Sequence, residues 1–149
     1  MPLKTQLHAA CQQYVQERIE ACQHAMHAAQ ESANSETKSS AGDKYETGRA
    51  MAQNERDRNA VQLQQAKQLL GELDRIQPDK PCDTVHPGAL VHTSMGRFYI
   101  SISAGKLTVD GQDYFAVSAA APVAAALSGK RAGEQAVFNG KPVQIQGIE

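Results

Sequence analysis

The chain has no tryptophan, and aromatic residues make up only 5% of it. That leaves few rings on which single-stranded bases could stack. It has no charge excess of either sign, with 15 Lys+Arg against 16 Asp+Glu, so no net field draws the whole molecule to nucleic acid or an anionic membrane. No apolar run approaches the roughly 18 residues of a membrane span, and Met1 to Gln6 lacks the apolar region of a signal peptide. The three cysteines, Cys11, Cys22 and Cys82, form an odd set with no Cys-x-x-Cys, which predicts reduced thiols and a cytoplasmic setting. Between Leu3 and Gln77 there is no proline, and the only glycines are Gly42, Gly48 and Gly71. The usual interruptions of a helix are therefore almost missing from the first half.

What fills that half is Ala, Gln, Glu, Lys and Arg, all good helix formers. Leu3, Leu7, Cys11, Tyr14, Arg18, Cys22 and Ala25 recur at steps of three and four, with Ile19 beside Arg18. Leu63, Ala66, Leu70 and Leu73 do the same on a second segment, flanked by Leu69 and Ile76. Both are seams of the coiled-coil kind. A polar, glycine-containing break from Ser32 to Gly42 separates them. The pattern predicts an antiparallel helical hairpin over residues 1–77 with its tip near 33–46, each arm reaching about 45 Å at a 1.5 Å rise. The stretch from Asn54 to Asn59 is too polar to bury much, so this part is expected to project into solvent or a partner.

Gln77-Pro78-Asp79-Lys80-Pro81 ends the helix and opens a linker over 78–86. Beyond it the hydrophobic period becomes two. Strands are expected over Ala89–Thr93, Phe98–Ser103, Leu107–Val109, Tyr114–Val117, Gln135–Phe138 and Val143–Ile148. Asp110-Gly111 and Asn139-Gly140 are two-residue hairpin signals, because both turn positions must tolerate positive φ. Pro122 to Leu127 reads as one short helix with proline in its first turn and Gly129 to end it. The fold class expected is α+β: a long helical hairpin, then a small, mostly antiparallel sheet domain over 87–149 with one short helix.

Two motifs carry chemistry. Gly42-Asp43-Lys44-Tyr45-Glu46 places two carboxylates three residues apart at the hairpin tip, where both can face one cation. Asp43 and Glu46 equally suit a helix start, as a cap and an acidic first turn, and the two roles can coexist. The second motif is Ala121-Pro122-Val123-Ala124-Ala125-Ala126-Leu127-Ser128-Gly129-Lys130.

With this architecture, the two motifs resemble the GreA/GreB family of bacterial transcription elongation factors. That family carries Gly-Asp-x-x-Glu at its tip and Ser-Pro-Ile-Ala-x-x-Leu-x-Gly-Lys in its C-terminal domain. The resemblance implies an FKBP-like sheet domain that docks on bacterial RNA polymerase, here through Pro122, Val123, Ala124, Leu127, Gly129 and Lys130. It implies a hairpin that enters the secondary channel and reaches the nascent RNA 3′ end. It also implies that Asp43 and Glu46 share a Mg²⁺ with the polymerase, which then cleaves backtracked transcript. Two carboxylates fit that ion, which takes hard oxygen ligands and often keeps water and phosphate for the rest. An exposed pair of this kind would hold no Mg²⁺ tightly by itself.

The chain departs from the family after Glu46, where Asn-Ala-Glu-Tyr is replaced by Thr47-Gly48-Arg49-Ala50, and Lys38, Lys44 and Arg49 offset the acidity of the tip. Arg49 can pair with Glu46, at about 0.3–0.5 kcal/mol for an exposed pair. Glu36 reads as a solvated loop charge.

Other candidates read more plainly. His24 and His27, near Glu20 and Glu31, read as hairpin-surface residues. Cys11 and Cys22 read as small apolar seam residues. Cys82 near His86 lacks the second cysteine pair of a structural zinc site. The expected protein is therefore an accessory factor of polymerase and not a free-standing enzyme. The alternatives are a regulator that occupies the channel without cleavage, a coiled-coil adaptor or chaperone, and, on fold analogy alone, a prolyl isomerase.

Overall fold

The computed structural model describes the backbone of residues 2–36 and 42–149 and the side chains of 2–32 and 48–149. Two long helices, α1 (Leu3–Glu36) and α2 (Gly42–Asp74), are the arms of a hairpin, and they are followed by a six-stranded sheet and one short helix. At 34 and 33 residues, each arm is about 50 Å long. The chain divides into two compact units: Met1–Tyr14 with Leu70–Glu149, and Val15–Leu69.

Within Val15–Leu69 the described elements are the two helices, and each contributes buried residues. They are Val15, Ile19, Cys22 and Ala29 on α1, and Ala52 and Ala66 on α2. The seam expected through Tyr14 runs instead through Val15, and Ile19 takes the place of Arg18, which interrupts the apolar stripe; Tyr14 and Arg18 are half-buried. A branched aliphatic side chain has no polar end to keep wet, whereas a phenol and a guanidinium do. Ala66 is buried as the spacing predicts, and Leu63 and Leu69 are half-buried.

The other unit is built on the sheet, formed by β1 (Leu90–Thr93), β2 (Gly96–Ser101), β3 (Gly105–Val109), β4 (Gln112–Ser118), β5 (Gln135–Phe138) and β6 (Lys141–Ile148), with α3 (Pro122–Leu127) before β5. All six expected strands and the helix are present. The strand order is β3-β4-β2-β1-β6-β5. Every pair is antiparallel except β2 with β4. Both hairpin turns take positive φ at each loop residue: 52° and 75° at Asp110-Gly111, and 53° and 75° at Asn139-Gly140. These are the conformations that match the right-handed twist of the flanking strands.

The two-residue period gives the sheet two buried faces. Val91, Phe98, Ile100, Val143 and Ile145 form one core with Ala124 and Leu127 of α3. On the other face lie Tyr99 and Ser101, whose partners come from the first turns of α1, as described below. Residues 78–86 are tied into the same unit. Val85 is in the core cluster, its N–H donates to Lys130 O at 2.9 Å, and its carbonyl accepts from Gly129 N at 2.9 Å.

Candidate functional site

Asp43 and Glu46 fall in the first turn of α2, three residues apart on a helical backbone. That spacing sets their Cα–Cβ bonds on one side of the helix. The carboxylate positions, the capping role of either residue, the Glu46–Arg49 pair and the side chain of Glu36 lie outside the described residues. Among the described residues, no group of three or more His, Cys, Asp or Glu is placed to hold a metal ion.

The motif from Ala121 to Lys130 forms a one-and-a-half-turn helix. Ala121 is extended, Pro122 occupies the first turn where its missing N–H costs nothing, and Ala125 N donates to Ala121 O at 2.8 Å. Gly129 terminates it at φ 76°. The helix sorts its residues by periodicity. Ala124 and Leu127 are 2% and 1% exposed and hold α3 on the sheet. Of the six residues expected to dock, this burial leaves Pro122, Val123, Gly129 and Lys130 with surface to offer a partner.

Three polar side chains that the sequence reading did not single out as a group are buried together at the start of α1. Lys4, His8 and Cys11 are spaced by four and three, so they share one helix face. Lys4 Nζ donates to the carbonyls of Lys80 at 2.6 Å and Glu149 at 3.2 Å, with Cys82 Sγ at 3.7 Å. His8 Nδ1 lies 2.9 Å from the Tyr99 hydroxyl, and Cys11 Sγ is 3.6 Å from Ser101 Oγ. The only advance signal was a lysine and a histidine at helical spacing beside Leu7.

Burial sets the charge states here. Desolvation holds the His8 imidazole below its usual range, against the opposing pull of the Asp74 carboxylate and the Leu73 carbonyl. Desolvation also pushes the Tyr99 phenol far up, so it stays protonated, and raises the Cys11 thiol. The Leu73 carbonyl acts on the same imidazole, and an N–H given to it leaves Nδ1 to accept from the Tyr99 hydroxyl. This cluster ties α1, the end of α2 and β2 together. It has no unpartnered polar atom left for a substrate.

The remaining candidates are as plain as their sequence suggested. His24 and His27 are exposed, and His27 Nε2 pairs with Glu31 at 3.2 Å. Cys11 and Cys22 are buried free thiols, and Cys82 is half-exposed and also free. His86 Nδ1 is 2.9 Å from Pro87 O. Among the described residues, no helix is long and apolar enough to cross a membrane.

The architecture defines an α+β protein with a helical hairpin ahead of a six-stranded sheet domain. No family model and no curated protein matches the chain. Among solved structures it is similar to the crystal structure of GreA factor homolog 1 from Thermus thermophilus. The identity is 18%, the match covers 91% of this chain and 92% of that one, and the TM-score is 0.37.

Proposed function

We propose that this chain is an accessory factor of RNA polymerase in transcription elongation, working through the polymerase secondary channel. The observation that carries the reading is the acid pair Asp43 and Glu46 opening the second arm of a hairpin of 34- and 33-residue helices. The Pro122–Lys130 motif, folded as a helix on the sheet, supports it from the other end of the sequence. On this reading Pro122, Val123, Gly129 and Lys130 contact polymerase, with Ala124 and Leu127 shaping that surface from beneath. Asp43 and Glu46 would hold a Mg²⁺ jointly with polymerase, near the nascent RNA 3′ end. That ion would supply charge neutralisation and an activated water for hydrolysis of backtracked transcript. The chain's own contribution is two anionic oxygen donors on a stiff support, so the protein is not an enzyme by itself.

One observation favours a second reading, a regulator that occupies the channel without cleavage. Lys44 and Arg49 lie within three residues of Glu46, and Thr47-Gly48 follows it, so cation binding at the tip meets local competition.

The test is transcript cleavage in stalled, backtracked elongation complexes with cognate polymerase and Mg²⁺. Cleavage stimulated by the wild type and lost in Asp43→Asn/Glu46→Gln, with polymerase binding retained, is the expected result. Full cleavage by the double variant removes the metal role. No cleavage by either, with displacement of a cleavage factor, selects the regulator. Neither cleavage nor displacement returns the hairpin to an adaptor role.

A further inference from the structure

A cleft of about 880 Å³ opens between the last turn of α2, the segment after it and the turn that leads into α3. Its walls are pinned in place. The Lys4 ammonium holds the Lys80 carbonyl at 2.6 Å. Gly88 N donates to Ile100 O at 2.7 Å. Gly88 has φ 98°, a backbone conformation that favours glycine, and a Cβ there would lie 3.3 Å from Ile76 Cγ2, close enough that Ile76 would have to give slightly. A preformed concavity of this size is in the range that ligand sites use.

The lining has a definite chemical character. Ile76, Pro81, Pro87 and Ala119 give it an apolar floor, and Arg75, Lys80 and Glu72 are its formally charged residues. Arg75 and Lys80 are exposed and have no salt-bridge partner among the described residues. Both follow the end of α2: Arg75 is the first residue after it, and Lys80 stands further along the same segment. Two unpaired cations five residues apart along one segment, beside apolar lining, complement carboxylates spaced along an extended chain and flanking an apolar side chain.

We propose that this cleft takes an extended acidic segment of a partner protein, seating an apolar side chain on Ile76, Pro81 and Ala119 and pairing carboxylates with Arg75 and Lys80. The site stands on the cleft alone and does not depend on the polymerase reading.

The test is selection of phage-displayed random peptides on the full chain, followed by fluorescence anisotropy with the enriched peptides. Enrichment of Asp or Glu beside Leu, Ile or Phe is expected. Affinity should fall at least about tenfold in Arg75→Glu/Lys80→Glu and in Ala119→Trp, which fills the floor, and stay unchanged in Lys106→Glu on the far edge strand. All four positions are exposed, and unchanged thermal unfolding confirms that each variant is folded. Peptides that lack acidic residues, equal affinity for the charge-reversed variant, or no enrichment at all overturn the proposal. Self-association of the chain that the charge reversal abolishes, with no peptide enriched, also overturns it and assigns the cleft to a second copy.

Discussion

In the unit made of Met1–Tyr14 and Leu70–Glu149, the first three turns of α1 bury Lys4, Leu7, His8 and Cys11, each at 6% exposure or less. In the unit made of Val15–Leu69, the same helix buries Val15, Ile19, Cys22 and Ala29, and the other arm buries Ala52 and Ala66. The first set has polar partners and a sheet to lie on. The second is a thin seam that ends in alanines, where each side chain removes little apolar area from water. One helix therefore draws its stability from tertiary packing at its start and increasingly from intrinsic propensity further on.

The sharpest test of that contrast is truncation at Leu7, which is fully buried. Leu7→Ala should cost about 2–5 kcal/mol in denaturant unfolding, and a cost below 1 kcal/mol would show that the start of α1 is as loosely held as the rest.

Next in size is Tyr99→Phe. It leaves His8 Nδ1 buried without its 2.9 Å partner, a loss of about 1–3 kcal/mol. A neutral result would mean that the pair contributes packing only.

The same histidine gives a pH dependence. Burial lowers its folded pKa from 6.5, so an unfolded chain takes up a proton at a pH where the folded chain still resists it. Stability from this group is full above its unfolded value and falls as pH drops through about 6.5 towards the lowered value. Thermal unfolding of the wild type should therefore shift down between pH 7.5 and 5.5 by more than that of His8→Gln. Equal shifts would place the acid sensitivity elsewhere.

The smallest effect is expected in the alanine seam. Ala52→Gly should cost only about 0.5–1 kcal/mol, mostly backbone entropy, and hydrogen exchange should report it within Val15–Leu69. A penalty matching that of Leu7→Ala would erase the distinction between the two regions.

The sequence by itself determined most of the features that rest on local chemistry, although α1 continues through Ser32 to Glu36, where a polar break was expected. Without proline from Leu3 to Gln77, and with apolar residues at steps of three and four, the first half had to be helical. Alternation of period two, with Asp110-Gly111 and Asn139-Gly140 between strands, marked the sheet, because few other residue pairs accept positive φ twice in succession. Pro122 and Gly129 bounded α3 for the same kind of reason. The acid pair at the start of α2 was also legible, since spacing alone puts Asp43 and Glu46 on one side of a helix.

Tertiary structure decided whatever depends on which neighbour a side chain meets. Periodicity could not choose between Tyr14 and Val15, because adjacent positions differ only in which of them tertiary packing buries. It could not show that β2 and β4 run parallel, since strand order is set by long-range pairing. Nor could it reveal that Lys4, His8 and Cys11 would be buried. Their partners at Lys80, Cys82, Tyr99, Ser101 and Glu149 lie at least 76 residues away along the chain, and a buried polar group is stable only where such partners converge. The burial of Ala124 and Leu127 and the cationic cleft beside α3 belong to the same class: each is a property of surfaces brought together, which no local pattern encodes.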